Sequence, residues 1–598
     1  MAFNEGPLWA RSKGTKNFWG TFFALIRYMG KYRLMLYHGL LMVVAATVLS
    51  LIGPQLLSKI TDSIQNSVVG GLPIDIDGIL AFTLMAVALY ISSFILTTIE
   101  HYIIGASSEY VARKMRRDLS DKLNSIHMSY YDNTTSGDIM SRVSNDADTV
   151  GRSCSESMTH LITAVISITG AFAMMLFTSM ELALVSAVPA MIGFFIIFAL
   201  VKISQKYFRI QQQKLGSMNS LVDENYRGHE IVKLYGGENG AWVKFNAIND
   251  ILYRSSLRTR FLAGLMGQFM NLISNVGYLT VCIFGSMMVL DGKIGYGTVV
   301  AFIVYIKLFT QPLIQLSEAM GSVQMVVAAS ERVFEFLSLP EMDPDDDKVA
   351  TIDEVHGNVE FRDVHFSYIK GREIIHGFSQ SIPAGSRIAI VGPTGAGKTT
   401  LANLLMKFYE PDSGEILIDG VSTSNMRRHY VHSLFNIVLQ DSWIFNGTVR
   451  ENIVFNRQGV TNEQVIEACE AVGLGHLIES LPEGLDTVVT DKISLSGGQR
   501  QQMMMARMLI RDAPMVILDE ATASIDTRTE RHIQEAMELL MRGKTSFVIA
   551  HRLSTIMDSD LILVLKEGNI VEKGTHKELL VMKGFYYSLY NSQFENCA

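Results

Sequence analysis

Cysteine is scarce in this 598-residue chain, which has only Cys154, Cys282, Cys469 and Cys597. They are too scattered for a metal knuckle or a redox pair. No disulfide framework is expected, and a buried free thiol is the default for each. An excess of positive charge is lacking too. With 51 Lys and Arg against 59 Asp and Glu, the formal charge is −8, which argues against a nucleic-acid partner. The segment Met1–Lys16 is polar and lacks the apolar core of a secretory signal. The first long apolar run therefore reads as a retained membrane span.

Apolar sequence is what the chain has in plenty, and most of it lies before residue 320. A bilayer-crossing helix needs about 20 apolar residues. Candidate spans are Leu34–Leu57, Ile79–Ile99, Leu161–Thr178, Leu182–Val201, a span within Phe261–Leu290, and Tyr296–Leu308. The sixth is short and continues through the more polar Gln311–Met320. Phe18–Tyr28 is aromatic-rich and reads as an interfacial helix. Basic residues follow spans two and four (Arg113, Lys114, Arg116, Arg117, Lys122; Lys202, Lys206, Arg209, Lys214), whereas Asp62, Asp75, Asp77, Glu181 and Asp291 mark the short opposite loops. The positive-inside rule puts both termini in the cytoplasm.

Residues 102–160 and 202–260 are polar but keep helical apolar spacing, so spans two to five are expected to continue into the cytoplasm. Tyr131–Asp138 is turn-rich, with Gly137 expected to break the helix, and Glu224–Gly236 forms a second tip. Glu100 and His101 end span two near the interface and read as solvated or snorkelling. His38, His160, Gln268 and Asn271 either line a cavity or bond across helices. After a helix ending near Leu339-Pro340, the acidic run Glu341–Lys348 reads as an exposed linker. The expected domains are 1–33, an interfacial segment; 34–320, six spans; 321–355, helix and linker; and 356–598, a nucleotide-binding unit.

That last unit is organised around Gly392-Pro393-Thr394-Gly395-Ala396-Gly397-Lys398-Thr399-Thr400. The apolar run Arg387–Val391 precedes it and helical spacing follows, which is the strand–loop–helix context of a phosphate loop. Glycines let the backbone curl its N–H groups toward phosphate oxygens, and the new helix adds its positive end. Lys398 is suited to the outer phosphates and Thr399 to Mg²⁺. Apolar runs at Met515–Leu518, Thr545–Ile549 and Leu561–Leu565 suit a parallel sheet covered by helices, with a helical insert near 445–514.

Together with Leu495-Ser496-Gly497-Gly498-Gln499 and Met515-Val516-Ile517-Leu518-Asp519-Glu520, these features resemble an ATP-binding cassette exporter half-transporter over nearly the whole chain. The resemblance implies an α-helical membrane domain fused to an α/β P-loop domain with a helical signature subdomain. It implies ATP and Mg²⁺ as cofactors. Tyr368 matches the adenine-stacking aromatic, and Gly392, Thr394, Gly395, Ala396, Gly397, Lys398, Thr399 and Thr400 match the phosphate loop. Gln440 matches the residue that senses metal and water, Asp519 the metal-holding acid, Glu520 the general base and His551 the γ-phosphate switch. Ser524-Ile525-Asp526 matches the loop that crosses between sites. Ser496, Gly497, Gly498 and Gln499 match the signature, which in this family closes on ATP held by the opposite subunit. Metal contacts fall to Thr399, Gln440 and Asp519. Residues 131–146 and 224–238 match the coupling regions.

The resemblance departs at Thr490, where an acid is usual, with Asp491 beside it; coupling contacts are expected to differ there. It further implies a second half-transporter as partner, a homodimer before a heterodimer because acid and signature are intact. Membrane lipids and an amphiphilic drug, lipid or peptide are the other expected partners. The expected location is a bacterial cytoplasmic membrane. A lipid flippase and a non-transporting ATP-binding regulator are the rival readings. A peptidase domain ahead of the membrane segment is not expected.

Overall fold

A computed structural model describes residues 18–71, 73–369, 371–438, 443–489, 495–519, 527–549 and 556–594. Contacts divide the chain into two compact units. One holds the residues up to Ile126 and from Asn133 to Glu341; the other holds His127–Asp132 and the chain from Met342 onward.

The first unit is helical: α1 (Phe18–Tyr28), α2 (Arg33–Val69), α3 (Ile76–Ser125), α4 (Met128–Asn133, of which all but Asn133 groups with the second unit), α5 (Ser136–Met140), α6 (Ala147–Thr178), α7 (Met180–Arg227), α8 (His229–Leu234), α9 (Glu238–Leu290) and α10 (Tyr296–Leu337). Among the described residues, six helical segments are long and apolar enough to cross a membrane, and they contain the six expected spans. At 53 residues, α9 runs ~80 Å, far beyond a ~30 Å hydrocarbon layer. The polar extensions of spans two to five are thus continuous helix. Small residues let these helices approach: a Cβ on Gly151 would lie 2.6 Å from that of Ala112, and one on Gly193 would lie 2.5 Å from Ile273 Cδ1. The largest buried side chains, Phe302 and Tyr305, pack with Met175, Leu182 and Val281.

Polar ties hold the cytoplasmic ends. Buried Lys122 donates to Leu339 O at 2.5 Å and Glu341 Oε1 at 2.8 Å, which fixes the exit of α10 to α3. Buried Asp146 accepts from Arg332 Nε at 2.8 Å, joining α10 to the wide π turn Ser141–Asp146. Tyr28 closes α1 onto the same region, donating to Asp118 at 2.7 Å with its ring edge-on to Phe334.

Two expectations for this unit are corrected. The break in the first cytoplasmic hairpin falls before Gly137, which lies in the first turn of α5. Thr135 starts that helix as its N-cap, because its hydroxyl meets the Asp138 N–H, and this outweighs the flexibility of the glycine. Glu100 is buried at 2% exposure rather than solvated, and it accepts a hydrogen bond from Thr159 of α6 at 3.2 Å. His101 beside it is exposed, as are His38, His160, Gln268 and Asn271.

In the second unit, β1 (Val359–Phe366), β2 (Ile375–Ile382), β4 (Ser413–Ile418) and β5 (Val421–Ser422) form a four-stranded antiparallel sheet in the order β2-β1-β4-β5. The main sheet has six strands in the order β12-β11-β3-β10-β9-β6, where β3 is Arg387–Val391, β6 Phe435–Val438, β9 Met515–Asp519, β10 Thr545–Ile549, β11 Leu561–Lys566 and β12 Asn569–Gly574. All pairs but β11–β12 are parallel. The core strands carry Val, Ile, Leu and Phe on both faces because helices cover both. One face packs on α11 (Lys398–Leu405), the other on the helical insert. That insert comprises the short paired strands β7 (Gly447–Thr448) and β8 (Val488–Val489), α13 (Val449–Val454), α14 (Asn462–Ala471), α15 (Gly475–Ser480) and α16 (Gly497–Arg511), after the short α12 (Arg428–Ser433). Then come α17 (Thr527–Met541), α18 (His576–Met582) and α19 (Phe585–Phe594).

The linker expectation also needs correction. Asp345 is only 17% exposed in its side chain and pairs with Arg428 and Lys348, each at 3.2 Å. Burial works to raise the Asp345 carboxyl, but the Arg428 N–H and the two cations outweigh it and hold the group below the usual range. Asp345 and Lys348 are therefore docked on the nucleotide unit, while Asp343, Asp346 and Asp347 beside them are exposed as expected. Its neighbour Lys407 is buried and donates to Thr423 O and Met426 O, both at 2.7 Å; desolvation brings its ammonium down to about 8.

Candidate nucleotide site

Parallel strands β3, β10, β9 and β6 all end on one edge of the sheet, in the register Ile390↔Ile549, Ile549↔Asp519 and Leu518↔Val438. A crevice beyond such carboxyl ends is where open α/β sheets hold ligands. The phosphate loop leaves β3 there. Gly395 and Gly397 take φ of +84° and +97°, a left-handed backbone that a side chain would strain. A Cβ on Gly397 would also meet Ile375 Cδ1 at 2.8 Å. Gly392 lies against the Leu565 carbonyl, 2.3 Å from a built Cβ, so the loop is pinned to β11 at its start.

Gly397 is the N-cap of α11 and offers no side-chain cap, which leaves the first-turn amides to face the loop. Lys398 is buried and reaches back to Gly392 O at 2.9 Å and Pro393 O at 3.1 Å. Ala396 and Thr400 are buried, while Thr394 and Thr399 are exposed. Amides, a cation and a helix N-terminus fit a polyphosphate. The exposed Thr399 hydroxyl and the Asp519 carboxylate at the strand end fit a hard cation that takes oxygen ligands and shares phosphate oxygens. Among the described residues no group of three His, Cys, Asp or Glu forms a metal cage.

Tyr368 follows β1, and its hydroxyl accepts from Asn403 Nδ2 of α11 at 3.3 Å. Its ring stands edge-on to Tyr409 at 4.9 Å and 90°, and to Phe366 at 4.9 Å. The Tyr409 hydroxyl donates to Asp132, in the piece of the amino-terminal half that groups with this unit. Burial and that carboxylate both push the phenol up. Asn403 and Tyr409 were not singled out in the sequence, since nothing in their local pattern separates them from packing residues; Asp132 falls within the turn-rich tip Tyr131–Asp138.

The signature forms the start of α16. Ser496 Oγ accepts from Gln499 N at 3.2 Å and Gln499 Oε1 accepts from Ser496 N at 2.9 Å, a reciprocal capping box. The Gln499 side chain is thus used on the helix itself. A Cβ on exposed Gly497 would meet nothing within 4 Å, so the space beside this helix start is open. Gln440, Glu520, Ser524-Ile525-Asp526, His551, Thr490 and Asp491 lie outside the described residues. In sequence, Gln440, Glu520 and His551 come one or two positions after the described ends of β6, β9 and β10.

Comparison with known proteins agrees with this architecture. The profile of the ABC transporter transmembrane region matches residues 36–313, and that of the ABC transporter matches residues 375–523. A fatty acid ABC transporter ATP-binding/permease protein of Mycobacterium bovis is 35% identical over 96% of each chain. An ATP-dependent lipid A-core flippase of Syntrophus aciditrophicus is 33% identical over 81% of each. Among solved structures, a bacterial Atm1-family ABC exporter with ATP bound superposes with a TM-score of 0.72 at 25% identity, over 95% of this chain and 98% of that one. A membrane bundle fused to a P-loop ATPase defines the class. The chain belongs to the ABC transporter family, as a half-transporter of the exporter type.

Proposed function

We propose that this chain exports an amphiphile, with a lipid-like molecule ahead of a drug or peptide, across a bacterial cytoplasmic membrane by alternating access of a homodimer. The observation that carries the reading is one chain holding both six membrane-length helices and a complete phosphate loop beside the Asp519 strand end. The lipid-like substrate is supported by the names of two relatives, a fatty acid transporter and a lipid A-core flippase. Assembly with a second copy is supported by the tip between α7 and α9, where Tyr226, Ile231, Leu234, Tyr235 and Trp242 are 64–83% exposed. Such an apolar patch marks an interaction surface.

In this reading the loop amides and Lys398 hold the β- and γ-phosphates of ATP, and the Tyr368 ring stacks on adenine. Thr399 and Asp519, with Gln440, hold Mg²⁺, which when bound offsets charge on the phosphates. Glu520 takes the proton of the attacking water, and His551 orients the γ-phosphate. Ser496, Gly497 and Gly498 of one subunit close over ATP held by the other. ATP then favours the closed dimer because it binds that state better, and hydrolysis removes the preference.

The test is ATPase and translocation in proteoliposomes across fatty acids, phospholipids, glycolipids, cationic drugs and peptides. Stimulation by one lipid class, with its movement abolished in Glu520→Gln while ATP binding persists, is the expected result. A Glu520→Gln chain that turns over normally rejects the base, and a chain that binds but never hydrolyses ATP supports the regulator instead.

A further inference from the structure

Tyr368 sits in the turn that joins β1 to β2, and both backbone and side chains tie the legs of that turn together. The Ile374 N–H donates to Phe366 O at 2.8 Å, and the Arg372 N–H to Ile369 O at 3.0 Å. His365 on the first leg meets Glu373 on the second, Nδ1 to Oε1 at 2.5 Å. His376 of β2 approaches the other Glu373 oxygen at 3.2 Å, and Asp363 Oδ1 lies 3.3 Å from His365 Nε2. Gly377 leaves room for this cluster. It takes φ of +66°, and a Cβ there would lie 3.1 Å from Asp363 Oδ1 and 3.4 Å from His365 Nε2. On the β4 side, uncharged Ser413 pairs with His365, and exposed Asp412 gives its N–H to the His365 carbonyl at 2.8 Å.

The two legs reach different parts of the candidate nucleotide site. On the first, Phe366 follows His365 and packs on the Tyr368 ring. On the second, Ile375 Cδ1 lies 2.8 Å from a Cβ built on Gly397 of the phosphate loop. The separation of the legs therefore sets where Tyr368 stands relative to that loop. A base and a triphosphate belong to one ligand, so a site that holds both gains affinity when ring and loop are already correctly spaced.

We propose that His365 and Glu373 are positioning residues for ATP, a clasp across the β1–β2 turn that holds Tyr368 where adenine docks. The proposal rests on the role given to Tyr368 above. The clasp is strongest when the imidazole is protonated, because Nδ1–H then donates to Glu373 while Nε2–H donates to Asp363. The hydrogen bond from His365 is the main reason that the Glu373 carboxyl is held below its ordinary range; desolvation opposes it, and the His376 bond and both imidazole charges add to it. The same hydrogen bond raises the His365 imidazole above 6.5. The clasp is thus fully made below pH 6.5 and loosens as pH climbs through the raised value.

The experiment uses the purified full-length chain in nanodiscs with Mg²⁺ and a bound fluorescent ATP analogue, displaced by ATP or by inorganic tripolyphosphate, which lacks the base. Buffers run from below pH 6.5 to well above it. In acid, His365→Gln and Glu373→Gln each bind ATP about threefold more weakly than the parent, while tripolyphosphate binds all three alike. The gap closes as pH rises, since the parent loses its clasp; the ratio to the parent cancels the titration of the nucleotide itself. In a Tyr368→Ala background, His365→Gln has no further effect, because the clasp acts through that ring. Parental ATP affinity in both clasp variants, or a gap that ignores pH, overturns the clasp; the adenine role stands if Tyr368→Ala still weakens ATP and spares tripolyphosphate. Equal loss of ATP and tripolyphosphate in the clasp variants also overturns it, as the signature of general damage to the fold. A Tyr368→Ala chain that binds ATP like the parent overturns the adenine role and the clasp together.

Discussion

His365, next to last in β1, lies between two carboxylates, with Nδ1 2.5 Å from Glu373 Oε1 and Nε2 3.3 Å from Asp363 Oδ1. Glu373 lies at the far end of the turn that carries Tyr368, and His376 of β2 approaches its other oxygen at 3.2 Å. The hydrogen bond to Glu373, with the Asp363 contact and both charges, raises the imidazole above 6.5 despite some desolvation. Only the protonated ring has two N–H groups to give, one to each carboxylate. Because the folded-state value is raised, the added stability is fully present below pH 6.5 and disappears as pH climbs through the higher value. His365→Gln should therefore melt below the parent at acidic pH, with the gap closing as the buffer is made alkaline; thermal melts of the purified chain across pH check this. At the same scale Lys398→Ala should lose most nucleotide affinity, read by titration with a fluorescent ATP analogue. The phosphate-loop residues were legible in the sequence because their role is set by neighbours along the chain. Asn403 and Tyr409 were not, because each gains meaning only from Tyr368 across a turn of sheet.

Among the elements, α16 and α18 begin the same way. Thr575 and Glu578 repeat for α18 the reciprocal cap that Ser496 and Gln499 make for α16. Removing the hydroxyl from either cap should cost about 1 kcal/mol of stability. The consequences for activity should differ. Thr575→Ala should keep its ATPase, whereas Ser496→Ala should lose much of it, because the Gly497 amides would no longer be held toward an anion. Denaturant melts beside steady-state hydrolysis separate the two effects. Helix extent was readable from apolar spacing, and α3, α7 and α9 run through their polar extensions as expected. The turn of the first hairpin was misplaced by a few residues, because Thr135 as a cap competes locally with Gly137 as a breaker and only the folded backbone shows which prevails. Asp345 in the acidic run misled for a similar reason: its charge looks as solvated as its exposed neighbours until Arg428, far along the chain, is brought to meet it.

For the whole molecule, the sharpest consequence of the proposed homodimer is complementation. A Lys398→Ala chain and a Ser496→Arg chain should each be inactive alone. Mixed in one dimer, they leave one site with an intact phosphate loop from one subunit and an intact signature from the other. Partial recovery of ATPase in tandem-purified mixed dimers is expected; no recovery argues that each chain completes its own site. By itself the sequence determined the class of machine, the number of membrane passages and the composition of the phosphate cradle, since apolar run length, charge bias and glycine spacing act locally along the chain. Tertiary structure alone decided that Glu100 is buried beside Thr159, that Asp345 of the linker is docked, and that Asp62 accepts from Gly297 in the first turn of a helix, 235 positions along the chain. Those outcomes depend on which surfaces meet, and burial and hydrogen bonding are properties of the meeting rather than of either partner alone.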